Sequence, residues 1–190
     1  VAERIVRTHL VTMGRLGIDY ELLTWEGDIL RLQFWARAFE LLKEKGAIFL
    51  QTEGKLAGCW VMTIDEDGGV PAEGAEPALA PPEAADGEEP REKVIVRSNG
   101  TVTYVGKDIA YQLWKFGLLG KDFAYRYWRE AELWVTAREG ADDHPAFGHG
   151  ANVINVIDAR QSYLQKIVRA GLSALGHHEA AARSVHFAYE

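Results

Sequence analysis

Val153-Ile154-Asn155-Val156-Ile157-Asp158-Ala159-Arg160-Gln161, followed by Leu164, Ile167, Val168, Gly171, Leu172 and Leu175, is the stretch that decides how this chain should fold. Its first five residues form a short apolar run of the kind that makes a buried strand. The later positions fit the i, i+3, i+4, i+7 spacing of one helix face without a gap. A strand passing through a short turn into a helix points to a layered α/β sheet rather than a bundle or a sandwich. In open sheets of that class, ligands bind where strands end and helices begin.

Upstream of that stretch, Val94-Ile95-Val96-Arg97 and Val102-Thr103-Tyr104 flank Ser98-Asn99-Gly100-Thr101, and Asn-Gly is the strongest short hairpin signal. Tyr104 is expected to end the second strand. Asp108 is expected to open a helix running through Ile109, Leu113 and Phe116 to Gly117. Residues 123–136 read as one more helix followed by a strand at 133–135, and residues 139–151 as a loop. Nearer the N-terminus, Ile5, Val6, His9, Leu10 and Met13 predict a helix over residues 2–16, stopped by Gly17. A second helix should follow Asp28 as its N-cap, with Leu30, Phe34, Ala38 and Leu41 as its buried stripe and Trp35 and Leu42 beside them. A strand pair over 47–51 and 56–62 turns around Glu53-Gly54-Lys55.

Residues 65–92 break the pattern. They hold five of the six prolines, ten acidic residues and one basic residue, Arg91. Such a composition buries too little surface to offset its ordering entropy, so it reads as a mobile acidic surface insertion. It also carries −9 of the net charge of −7, which leaves a near-neutral body of +2. That body can touch RNA at an edge but lacks the dense basic clustering of a dedicated binder. Cys59 is the only cysteine, which excludes an internal disulfide or thiolate zinc cluster and fits a reducing, cytoplasmic compartment. No apolar run approaches the roughly 18 residues needed to span a bilayer, and the charged N-terminal helix does not read as a signal peptide.

At the two strand–helix junctions stand Tyr104, Asp108 and Gln161. A phenol, a carboxylate and a primary amide make a poor nucleophilic apparatus, but they suit a planar, donor-only cation. A guanidinium offers five N–H donors in a rigid fork, and an aspartate can accept two at once. The compact ammonium of lysine cannot reproduce that fork. Each residue also has an ordinary structural role: Asp108 as a helix cap, Tyr104 in a core, Gln161 in solvent. His144, His149, His177 and His178 lack ligand spacing and read as surface residues, so no metal site is expected. Tyr111, Trp114, Trp128 and Trp134 read as core or interface rather than base-stacking platforms.

Ser98-Asn99-Gly100-Thr101-Val102-Thr103-Tyr104-Val105-Gly106-Lys107-Asp108-Ile109-Ala110-Tyr111 resembles the arginyl-tRNA synthetase signature, in which Gly-Thr-x-Thr-Tyr is followed by a helix starting Asp-Ile-Ala-Tyr. Val156-Ile157-Asp158-Ala159-Arg160-Gln161 resembles that family's next strand and its following glutamine. Leu16-Gly17-Ile18-Asp19-Tyr20 and Leu41-Leu42-Lys43-Glu44-Lys45-Gly46-Ala47-Ile48 resemble the segment leading into the signature.

The resemblance implies the second half of a class I catalytic domain. Its fold would be a partial Rossmann-like parallel sheet with flanking helices and a small β-hairpin insertion. Helical lead-in would occupy residues 1–46, the hairpin 47–62, the acidic insertion 65–92 and the second Rossmann half 94–190. Tyr104, Asp108 and Gln161 would contact the guanidinium of arginine. The intact enzyme would use ATP and Mg2+, and its partners would be arginine, tRNA(Arg) and the remainder of the synthetase chain.

Departures exist: Asn99 replaces an aspartate, Val105-Gly106-Lys107 replaces Leu-Thr-Arg, and Ser162-Tyr163 stands where histidines or acidic residues are usual. Neither a His-Ile-Gly-His nor a Lys-Met-Ser-Lys-Ser type motif occurs, so no catalytic residue is expected within this segment. It reads as part of a larger arginine–tRNA ligase. The alternative is a non-catalytic arginine-binding or protein-interaction module derived from a synthetase.

Overall fold

The computed structural model describes residues 1–64 and 92–190. Helix α1 (Ala2–Arg15) opens the chain and stops before Gly17, whose φ of +69° lies in the left-handed region. It lays Val6 and Leu10 on a small cluster of Trp128, Leu133 and Val135, while Ile5 and Val11 stay exposed.

After β1 (Leu22–Leu23), the single helix expected beyond Asp28 is two helices, α2 (Glu26–Arg31) and α3 (Phe34–Glu44). They break at Gln33, which takes a left-handed φ of 60° with no glycine to announce it. Asp28 lies inside α2 and is not its cap. It is buried, accepts a hydrogen bond from Thr136 Oγ1 at 2.8 Å and pairs with Arg31 at 3.2 Å. Of the expected stripe, Phe34 and Ala38 are fully buried, Leu41 is half-buried and Leu30 is exposed, whereas Leu42, expected beside the stripe, is fully buried. The left-handed residue at Gln33 interrupts the helical phase between α2 and α3, so one stripe does not run through both.

Strands β2 (Phe49–Leu50), β3 (Trp60–Thr63) and β4 (Glu92–Val96) form an antiparallel sheet in that order. Glu92, the last residue of the expected insertion, is the first residue of β4: it sits opposite Thr63 and accepts hydrogen bonds from Gln51 Nε2 at 3.1 Å. The rest of the acidic stretch expected to be mobile, residues 65–91, lies outside the described residues.

Helix α4 (Tyr104–Lys115) follows, and then β5 (Ala124–Trp128) and β6 (Leu133–Ala137). No helix forms between residues 123 and 136. The aromatic-rich run Ala124-Tyr125-Arg126-Tyr127-Trp128 pairs antiparallel with β6, and β1 adds to β6 in parallel.

The deciding stretch becomes β7 (Val153–Asp158), a 3-10 turn (Ala159–Gln161) and α5 (Ser162–Ala174). A short α6 (His178–Ala182) then returns the chain to β8 (Ser184–Tyr189), parallel to β7. The architecture is therefore mixed α/β with three small sheets, and among the described residues parallel pairing is confined to β1–β6 and β7–β8. Nor is β7 buried on both faces. Val153 and Asn155 point inward, but Ile154 and Val156 are 62% and 63% exposed and lie opposite Val185 and Phe187 of β8.

Helix α4 is the central piece. Val105, Ile109, Ala110 and Leu113 are fully buried, each large side chain contributing about 2 kcal/mol of hydrophobic stabilisation. Two glycines let its neighbours approach closely. A Cβ on Gly106 would lie 2.7 Å from the Trp35 ring of α3, and one on Gly171 of α5 would lie 3.1 Å from Ile109. Among the described residues, no helix is long and apolar enough to cross a membrane.

Candidate functional site

The β4 hairpin and α4 are pinned together by Thr103, whose hydroxyl donates to the carbonyls of Val94 and Ile95 at 3.1 and 3.0 Å. The helix starts immediately afterwards, four residues earlier than expected. Tyr104 is thus the first helical residue, 59% exposed, and not the end of a strand. Asp108 is not an N-cap but sits one turn into α4. Residues four apart share a helix face, so this shift places Tyr104 and Asp108 on one side of α4.

Gln161 ends the 3-10 turn after β7. The turn is built on Asp158, which accepts from the Arg160 backbone N–H at 2.9 Å. The Arg160 guanidinium folds onto the same carboxylate, Nε at 2.9 Å and Nη2 at 2.7 Å. Those hydrogen bonds hold the Asp158 carboxyl below the usual range and Arg160 above its own.

A cavity of about 380 Å³ separates the two junctions. Tyr104 and Gln161 both line it, with Lys93, Arg160, Tyr163, Leu164 and Ile167. Asp108 does not. The lining therefore carries two cations and no acid, and the nearest carboxylate on the Tyr104 face of α4 is Asp108, one turn beyond. Lys93 lies over the Tyr163 ring, 5.4 Å from its centre.

Burial pushes the Asp108 carboxyl up, Lys115 pulls it down, Glu26 pushes it up and Lys107 pulls it down. Among the described residues, no hydrogen bond or ion pair reaches the side chain of Tyr104, Asp108 or Gln161. Tyr104 and Gln161 are exposed, and the half-buried Asp108 has no fully buried side-chain oxygen left without a partner, so the free polar atoms of all three touch solvent. They are available to a ligand.

No family model matches the chain. It is, however, 37% identical over 193 residues to an arginine–tRNA ligase of Deinococcus radiodurans, covering all of this chain and 29% of that protein. An arginine–tRNA ligase of Pyrococcus abyssi is 40% identical over 190 residues, again across the whole chain and 28% of the relative. The solved arginyl-tRNA synthetase of Thermus thermophilus superposes with a TM-score of 0.77 at 36% identity, covering 99% of this chain and 29% of that one. This chain is homologous to part of the arginine–tRNA ligases. It spans under a third of their length.

Seen beside that ligase signature, the Gly106 departure has a structural cause. Trp35 covers the position so closely that any larger residue would have to displace its ring. Sequence reasoning missed a second cavity, of about 450 Å³, lined by Trp25, Asp28, Arg31, Arg126, Thr136 and Arg138 among others. Its guanidiniums come from α2, β5 and the end of β6, so no spacing along the chain could have announced it. Trp114 and Trp128 are buried, as a core role requires, and Trp114 Nε1 donates to Asp122 at 2.8 Å. His144 stacks on Phe147; among the described residues no group of three His, Cys, Asp or Glu is placed to hold an ion.

Proposed function

We propose that this chain is the arginine-recognising segment of an arginine–tRNA ligase, the second half of its class I catalytic domain. Tyr104 and Gln161 would bracket the ligand across the cavity. Asp108 would accept two N–H donors of its guanidinium, the charge-assisted pairing that selects arginine over lysine. In the intact ligase, arginine and ATP, with Mg2+, would give arginyl-adenylate and pyrophosphate. The arginyl group would then pass to the terminal ribose of tRNA(Arg). Neither ATP signature motif lies within residues 1–190, so the ATP steps are assigned to the remainder of the enzyme. This segment contributes by orienting the amino acid, and orientation is a large part of such catalysis.

One observation carries the reading: Tyr104 and Gln161 line one cavity, Asp108 follows Tyr104 by one turn on the same face of α4, and none of the three side chains has a protein partner among the described residues. Calorimetric titration with arginine, citrulline and lysine tests it. Arginine is expected to bind roughly 100-fold or more tightly than either analogue, because a site built to accept the charged guanidinium fork is left unpaired by an analogue that lacks the charge or the fork. Equal affinity for citrulline would sink the proposal.

A further inference from the structure

Lys115 stands in the last turn of α4, at its seam with β7. Its Nζ donates to Asn155 Oδ1 at 2.9 Å and lies 4.6 Å from the centre of the Tyr111 ring. Both anchors are themselves held. Asn155 is buried on the inward face of β7, and Tyr111 shares a 2.8 Å hydrogen bond with Thr24 and stacks on Trp114. A lysine at a helix C-terminus is favourable in general. An exposed one would serve that purpose, whereas this one surrenders much of its water.

No carboxylate lies within ion-pair distance of Lys115 among the described residues. Residues seven apart return to the same face of a helix, and helical side chains lean toward the N-terminus. The acid on that face, two turns back from Lys115, is Asp108. We propose that Lys115 is a positioning residue for Asp108, its ammonium fixed between Asn155 and the Tyr111 ring so that the carboxylate stays ionised while its lone pairs remain free. The role rests on the reading that Asp108 receives a guanidinium.

A contact ion pair could not do the same work. Asp28 shows the contrast, since Arg31 and Thr136 each engage one of its oxygens. A cation held at a distance supplies field without consuming acceptor sites. Electrostatics agrees in both directions. Burial raises the Asp108 carboxyl, and Lys115 opposes that more strongly than Lys107 on the same helix, with Glu26 of α2 pushing the other way. Burial lowers the Lys115 ammonium, and Asp108 opposes it.

The test follows the Asp108 carboxyl through a carbon-13 NMR titration in the 190-residue chain, in wild type, Lys115→Met and Lys115→Arg. Lys115→Met is expected to make Asp108 hold its proton roughly tenfold more tightly, a rise of about one pH unit in its midpoint. Lys115→Arg, which keeps a charge there, should stay near wild type. A Lys115→Met chain with an intact spectrum and an unmoved Asp108 midpoint would overturn the proposal. If that variant does not fold, the reciprocal titration decides: the Lys115 ammonium should lose its proton at lower pH in Asp108→Asn, and an unchanged midpoint is fatal. Loss of this coupling leaves the arginine reading standing. Arginine binding unaffected by Asp108→Ala removes that reading and leaves the coupling as measured.

Discussion

Asp28 and Asp108 both sit in short helices packed against the sheets, yet the fold treats them oppositely. Asp28 of α2 is 3% exposed, accepts from Thr136 and pairs with Arg31. Thr136 in turn accepts from the Trp25 backbone N–H at 2.9 Å, so the whole polar chain is closed. Asp108 of α4 keeps its oxygens open to solvent and meets only distant cations. A carboxylate whose acceptor sites are filled by its own protein is structural. One that is charged, half-buried and unpartnered is set aside for something else. Among the described residues, the ion pair between the two helices is Lys107 of α4 with Glu26 of α2.

The largest effect is expected where the carboxylate is closed in. Asp28→Ala leaves the buried Thr136 hydroxyl without its acceptor and releases the half-exposed Arg31, and should lower stability by about 3 kcal/mol in chemical denaturation, with arginine affinity kept in whatever fraction stays folded. A small change would mean that Asp28 is not a structural acid at all. Next comes Asp108→Ala, expected to weaken arginine binding by roughly 100-fold, with little change in unfolding midpoint. In the wild type that affinity should fall as pH drops through the Asp108 titration. Because burial raises this carboxyl, the fall begins at higher pH than for an ordinary aspartate. Tyr104→Phe removes one hydroxyl at the exposed end of the same face, and calorimetry should show a loss of about fivefold to tenfold. Lys107→Met removes the ion pair with the exposed Glu26 and should cost less than about 1 kcal/mol.

Much of the deciding segment was legible. The gapless helical spacing from Leu164 to Leu175 became α5, and the Asn99-Gly100 turn closes with the Gly100 backbone N–H on the Arg97 carbonyl at 2.8 Å. The helix start at Tyr104 was not. Asp108 has the chemistry of a cap and follows Gly106, so the sequence favours a start there, but Thr103 uses its hydroxyl to fasten the hairpin and the helix begins at once. That four-residue shift turned two candidate site residues from separate elements into neighbours on one turn. The helix expected within 123–136 failed because Tyr125, Tyr127 and Trp128 suit a pleated surface, a preference that only the partner strand β6 makes decisive. Strand β8 was overlooked, although Val185, Phe187 and Tyr189 alternate as a strand should. The Lys115–Asn155 contact joins residues 40 apart in the chain, and no local pattern encodes it.

The outward face of β7 and β8 has a practical consequence for anyone handling this protein. Ile154 beside Val185 and Val156 beside Phe187 make an oily strip on a ribbon only two strands wide, where parallel strands are ordinarily covered on both sides. In buffer it should act as an adhesive, lighting up solvatochromic dyes and driving precipitation early in an ammonium sulfate series. Replacing Val156 and Phe187 with lysine should quench the dye signal and keep concentrated samples clear.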